Sequence, residues 1–167
     1  MRSDIDMVTK KLDIIRVTTV AEMEEALSVR RRVFIEEQRV PEPLEIDEHD
    51  ADPANNATCR HVLARCDGVA VGTGRLLLAK DENGQVHIGR VAVLADQRRY
   101  GIGRAVMEAL HDLAREQGFD SITLAAQTHA IGFYERLGYV LRPGEVFLDA
   151  GIEHRWMDLR LGGDTAP

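Results

Sequence analysis

The segment Gln97–Leu110, QRRYGIGRAVMEAL, places Gly101 and Gly103 one residue apart between Arg98, Arg99 and Arg104, directly before an apolar-periodic stretch. Such spacing suits anion binding. Glycines let the backbone approach a ligand, the first-turn N–H groups of the following helix point outward, and the helix dipole favours negative charge. A phosphate cradle and a plain strand-to-helix turn both fit the pattern. The Rossmann fingerprint needs a third glycine where Val106 stands, and a Walker loop needs Gly-Lys-Ser/Thr where Gly103, Arg104 and Ala105 stand. Both nucleotide readings fail on those residues.

Other residue types capable of chemistry are scattered. Tyr134 follows Phe133 in HAIGFYERLGY, and by spacing alone it reads as a core aromatic on a short helix. His154 lies in a late strand between Glu153 and Arg155 and has the residue type that titrates near neutrality. Glu37 and the acids Glu45, Asp47, Glu48 and Asp50 are its rivals as a base, as is a water relay. The run PEPLEIDEHDADPANN lacks the spacing and glycine of a calcium loop, so it reads either as a solvated loop or as an acidic rim that draws in a cationic amine. Arg30, Arg31 and Arg32 read as a solvated helix face from which one arginine could pair with Glu45 or Asp47. His49, His61, His87, His111 and His129 show no ligand spacing among themselves or with the cysteines, so no metal is expected.

The elements that must carry these residues follow from periodicity. Leu12 to Val17 predicts a first strand, and Thr19-x-x-Glu22 is a capping box for a helix running to about Gln38. Cys59 to Cys66 and Val69 to Leu78 join across Asp67-Gly68 as a hairpin, and Asn83-Gly84 turns the chain into QVHIGRVAV. In that third strand Val86 and Ile88 share one parity, whereas Val91 and Val93 share the other. A slip of one residue at Gly89-Arg90 restores a single apolar face, which predicts a β-bulge there. Ile102, Val106, Ala109, Leu110 and Leu113 then form a helical stripe ending at Gly118. Ser121 to Ala126 is a short buried strand, placed parallel to the bulged one by a right-handed crossover. A helix from about Ala130 to Leu137 precedes a turn at Pro143-Gly144 and a last strand pair ending near Leu161. The fold class is mixed α/β, with a mostly antiparallel sheet, one splayed parallel strand pair and helices on both faces.

Bulk properties narrow the function classes. At 167 residues, one domain is expected over 1–167, with its core at about 12–161 and frayed ends at 1–10 and 162–167. A net charge of −7 argues against nucleic-acid binding, where a basic face is needed, and it sets off the three loop arginines. No apolar run reaches membrane-spanning or signal-peptide length, and Cys59 and Cys66 sit at a spacing poorly suited to a bridge, so a reduced, cytoplasmic setting is expected.

GRVAVLADQRRYGIGRAVMEAL followed by HAIGFYERLGY resembles the two core motifs of the GNAT superfamily of acyl-CoA-dependent N-acetyltransferases, and the resemblance runs from about Leu12 to Leu161. RRRVFIEEQRVPEPLEIDEHD and FLDAGIEHRWM look like the ElaA-like branch. Glu45-x-Asp47-x-x-Asp50 and Arg75-Leu76-Leu77 are also similar to acyl-homoserine-lactone synthases. The resemblance implies acetyl-CoA as cosubstrate and direct acetyl transfer to a small-molecule or peptide amine. It also implies that a pantetheine arm pairs with the backbone of Val91 and Val93. Arg98, Arg99, Tyr100, Gly101, Ile102, Gly103 and Arg104 would hold the pyrophosphate, and Gln127 stands where the family often has a coenzyme-binding Asn. Tyr134 becomes the proton donor to the departing thiolate, an N–H near Val91 the oxyanion donor, and His154 a candidate base. Glu37, Glu45, Asp47 and Asp50 are the expected substrate contacts, and a homodimer is compatible with the fold. A related acyl-carrier enzyme and a non-catalytic coenzyme-binding module stay open as alternatives.

Overall fold

The computed structural model describes residues 10–162; most of the two frayed ends expected from the sequence lies outside them. Strand β1 (Leu12–Arg16) leads into α1 (Val20–Arg30), whose capping box forms as the sequence requires: Thr19 Oγ1 accepts from the Glu22 N–H, and the Glu22 carboxylate accepts from the Thr19 N–H. The helix does not simply run on to Gln38. It widens into a π-helical turn over Arg31–Glu37, closed by the Gln38 N–H on the Val33 carbonyl at 3.0 Å. The acidic stretch is likewise structured, with a short helix α2 (Glu42–Glu45) and a 3-10 turn (Glu48–Asp50), where an open loop is expected from its composition.

Strands β2 (Cys59–Cys66), β3 (Val69–Leu77) and β4 (Val86–Val93) form the antiparallel meander. Helix α3 (Ile102–Glu116) crosses to β5 (Ser121–Gln127), and α4 (Ile131–Arg136) leads to β6 (Val140–Leu141), β7 (Phe147–Asp149) and β8 (Ile152–Arg160). Among the described residues the sheet has the order β1-β2-β3-β4-β5-β8, with β6 and β7 both along the outer edge of β8. Among the described strands, only β4 and β5 run parallel to each other as neighbours.

The bulge is present one step from its expected place. Thr73 pairs with Ala92 and Arg75 with Gly89, so Arg90 and Val91 together oppose Gly74. The residue in the left-handed region is Arg90, at φ 52, while Gly89 keeps an ordinary φ with open space where a Cβ would stand. The expected place of the bulge, Gly89-Arg90, is therefore corrected to Arg90-Val91, with Arg90 as its left-handed residue. The slip itself does what parity demands. Opposed residues share a face, so Leu76 and Gly72 bring Ile88 and Val93 to the side of Gly74, where a Cβ would meet Leu110, Val106 and Val91 at 2.9, 3.0 and 3.4 Å. Val86, Ile88, Val91 and Val93 thus all face α3.

Helix α3 is held there by Val106, Met107, Leu110 and Ala114, each fully buried; the larger side chains each contribute roughly 1.5–3 kcal/mol of transfer free energy. Gly118, at φ 84, ends the helix, with the Phe119 N–H donating to the Ala114 carbonyl. On the opposite face α1 packs Met23, Ala26 and Leu27 against Leu63. The consequence for the site lies between β4 and β5. Their pairing is confined to Val86 with Ile122 and His87 with Thr123, beyond which the strands part.

Candidate active site

Where the strands part, their facing edges line a cleft of about 1050 Å³. Past the bulge, strand alternation sends the polar groups of Ala92 toward β3 and those of Val91 and Val93 toward the cleft. The Val93 carbonyl confirms the direction, since it accepts from Arg98 Nε at 2.9 Å. Apart from that carbonyl, which Arg98 occupies, strand edge parted from its neighbour is a template for an extended ligand.

The chain leaves β4 through a 3-10 turn (Ala95–Gln97) and reaches Arg99 and Gly101, both left-handed at φ 75 and 81. Gly101 is the N-cap of α3. No side chain caps this helix and no acid lies in its first turn, so the first-turn N–H groups and the positive end of the dipole face outward. Gly103 gives room on its other side, since a Cβ would meet the Phe133 ring at 3.3 Å. Arg98, Arg99, Gly101, Gly103 and Arg104 all line the cleft. Tyr100 is 75% exposed and Ile102 is buried in the core, and neither lines it. Arg98 is held by a two-pronged pair with Glu37 at 2.8 Å for each bond, and Arg104 by Glu108 at 3.1 Å.

Deeper in, Gln127 exchanges amide hydrogen bonds with Gln38 of the π-helical turn at 2.9 and 3.1 Å and accepts from His129 at 2.7 Å. Tyr134 lines the cleft with its ring fixed edge-on by Phe133 and Tyr139, at 5.0 and 5.8 Å between centroids. Its hydroxyl makes no hydrogen bond to any described residue, and burial pushes the phenol up to about 12. Tyr139 is anchored in turn by His111 Nε2 at 2.7 Å. His154, opposite Gln127 in the β5–β8 register, also lines the cleft. A carbonyl can only accept, so His154 Nδ1 carries the hydrogen donated to Ile152 at 2.7 Å, which leaves Nε2 with a free lone pair in the neutral ring. Phe147 stacks on the imidazole.

The acids behave differently from the expected rim. Glu45 is buried on Arg30 Nε at 2.7 Å and Arg90 Nε at 3.2 Å, Asp47 takes both Nη atoms of Arg75 at 2.7 and 2.8 Å, and Asp50 takes Arg30 at 2.7 and 3.0 Å and Arg75 at 3.2 Å. Three carboxylates face three guanidiniums. The corrected picture is an inward-facing ion network rather than a solvated loop or a free acidic surface; Arg30 makes the expected pair with Glu45, and it is buried rather than on a solvated helix face. The Arg75 partnership holds Asp47 down to about 2 against the opposing effect of its burial, whereas burial outweighs the arginines at Glu45 and raises it. Asp47 and Asp50 do not line the cleft; Glu45 and Glu37 do. Cys59, buried beside this network, is pushed up to about 12 by burial and stays a thiol.

Sequence reasoning missed Gln38, Arg90 and Trp156 as cleft residues. The parity slip that located the bulge was the signal available for Arg90. No group of three or more His, Cys, Asp or Glu side chains suited to a metal occurs among the described residues, and no described helix is long and apolar enough to cross a membrane.

Comparison with known proteins matches residues 22–139 to the acetyltransferase (GNAT) family. The uncharacterised protein YyaT of Bacillus subtilis is 39% identical over 143 residues, covering 86% of this chain and 92% of that one. Among solved structures, an acyl-CoA N-acyltransferase from Pseudomonas aeruginosa superposes with a TM-score of 0.72 at 32% identity, covering 89% of this chain and 99% of its own. Escherichia coli ElaA does so with a TM-score of 0.73 at 26% identity, with the same coverage.

Proposed function

From the premise that the chain belongs to the GNAT acetyltransferase family, we propose that it moves an acetyl group from acetyl-CoA to a primary amine by direct attack within a ternary complex. The observation that carries this reading is the opened β4–β5 edge, which has the uncapped start of α3 beside it and both Tyr134 and His154 among the residues that line the cleft. The pyrophosphate sits on the first-turn N–H groups of α3, with Arg98, Arg99 and Arg104 around it. Arg98 passes from Glu37 to the phosphate, and the released Glu37 carboxylate faces the acceptor. The pantetheine arm pairs with Val91 and Val93, and Gln127 borders it.

In the reaction the amine nitrogen bonds to the thioester carbon, the carbonyl oxygen takes up negative charge, and the carbon–sulfur bond then breaks. The Val91 N–H stabilises the oxyanion, the largest single contribution in many acyl transfers. His154 Nε2 accepts the proton lost by the amine, directly or through water. Tyr134 supplies the proton to sulfur. Its phenol at about 12 stays protonated throughout the physiological range. Transfer to a thiolate whose acid lies near ~8.5 is uphill, so the phenol gives the sulfur its hydrogen bond as charge builds there, and a phenolate left by transfer regains its proton from solvent. The two free thiols and the absence of any described membrane-crossing helix agree with the cytoplasmic setting we assign.

A panel of primary amines with acetyl-CoA, followed by thiol release, tests the reading. Tyr134→Phe lowers kcat by ~10²–10⁴-fold while coenzyme affinity holds. An enzyme that binds coenzyme A but acetylates no amine in the panel contradicts it.

A further inference from the structure

Arg90 occupies the bulge in a backbone conformation that an arginine resists and a glycine adopts freely, and Gly89 beside it does not take that conformation. Strain of this kind persists only where the surroundings over-determine it. Its side chain supplies that restraint. Nε donates to the Glu45 carbonyl at 3.1 Å and Nη2 to the Leu44 carbonyl at 3.2 Å, while Nε also pairs with the Glu45 carboxylate. The guanidinium therefore clamps the end of α2 to the bulge.

The far side of the clamp is itself immobilised. Arg30 Nη2 donates to the same Glu45 carbonyl at 2.6 Å while Arg30 Nε holds its carboxylate, and Asp50 ties Arg30 to Arg75, which stands directly opposite Gly89 in the sheet. The network thus reaches the bulge from two directions, through the Arg90 side chain and through the β3 backbone at Arg75. The peptide that follows Arg90 carries the Val91 N–H.

We infer that Arg90 is a positioning residue for acetyl transfer: its tether to α2 holds the Arg90–Val91 peptide at the angle that aims the Val91 N–H at the developing oxyanion. The inference rests on the proposed reaction and adds to it a purpose for the buried ion network. A donor tilted away from its target loses most of its electrostatic effect at the moment charge develops, while ground-state binding along the rest of the coenzyme is untouched.

Arg90→Gly accepts the left-handed backbone but removes the tether, and Arg90→Asn also tolerates that backbone with a side chain too short to reach α2. Each is compared with wild type by calorimetry with coenzyme A, by kcat, and by the carbonyl stretch of bound acetyl-CoA labelled with ¹³C at the thioester carbon. The expected result is coenzyme A affinity within about twofold, kcat lower by ~10–100-fold, and a carbonyl band returned toward its solution position. A folded variant of either kind that keeps the wild-type band and kcat overturns the role of Arg90 while leaving the acetyltransferase reading intact. A wild-type band that does not move on binding removes the Val91 donor, and the inference falls with it.

Discussion

Two sets of three arginines flank the cleft and use the same charge in opposite ways. Arg98, Arg99 and Arg104 are exposed; one is borrowed by Glu37, one makes a surface i,i+4 pair, and Arg99 has no partner among the described residues. Arg30, Arg75 and Arg90 face Glu45, Asp47 and Asp50 in an inward network where almost every donor is matched; the Arg75 Nε is the one buried side-chain polar atom without a partner among the described residues. An exposed cation with a weak or missing partner is available to an anionic ligand at little desolvation cost. A buried cation with a fixed partner is available to nothing, and its value is geometric. Net charge alone therefore does not place a binding site.

Breaking a pair in the inward set should produce the largest effect. Asp50→Ala takes one of two carboxylate partners from each of Arg30 and Arg75, which keep Glu45 and Asp47, and removal of a partner from a buried pair costs about 3–5 kcal/mol. Urea unfolding should show that loss; a change under 1 kcal/mol would mean the network is loosely held.

Acid should separate matched buried charge from a buried group kept neutral. Burial holds the His111 imidazole at about 4, below the 6.5 of a free ring, so the unfolded chain takes up a proton that the folded one refuses as pH falls from 6.5 to 4. Its contribution is complete above pH 6.5 and is lost on the way down, on the order of 3 kcal/mol. Asp47, held at about 2 against 3.8, contributes above pH 3.8 and loses about 2 kcal/mol as pH drops toward 2. Stability measured against pH should become less steep between 6.5 and 4 in His111→Phe and less steep below 3.8 in Asp47→Asn, with the buried His61 and the other arginine-paired carboxylates supplying the remainder. Retention of both slopes would assign acid sensitivity elsewhere.

The exposed set should give the smallest structural effect. Arg99→Ala should leave stability within about 0.5 kcal/mol of wild type and weaken coenzyme A binding several-fold at low salt, with the deficit shrinking as salt rises. Equal affinity at every ionic strength would exclude Arg99 from the phosphate site.

The parts of this molecule legible in its sequence are those written in local chemistry. Asp67-Gly68 supplies the two positive φ angles of its hairpin, Thr19 and Glu22 close their box, and the parity slip after Ile88 marks the bulge. The loop arginines stand out because no acid lies between Arg98 and Arg104 in a chain of net charge −7. What stayed hidden was set by tertiary pairing. Arg75 meets Asp47 across 28 residues, and no periodicity announces that an acidic run will turn inward. The widened turn at Arg31–Glu37 keeps an ordinary helical pattern of apolar residues. Parity places the slip only somewhere between Ile88 and Val91, and the structure puts it at Arg90-Val91, where the Arg90 side chain ties down the left-handed backbone.

The start of α3 is the proposed coenzyme site. Gly101 sits at φ 81, where a β-branched residue is strained, and in the proposed complex its backbone meets the pyrophosphate. Calorimetric titration of coenzyme A into wild type and Gly101→Val tests this most directly. Wild type should bind and the folded variant should lose most of that affinity. Equal affinity in a folded Gly101→Val would place the coenzyme somewhere other than this loop.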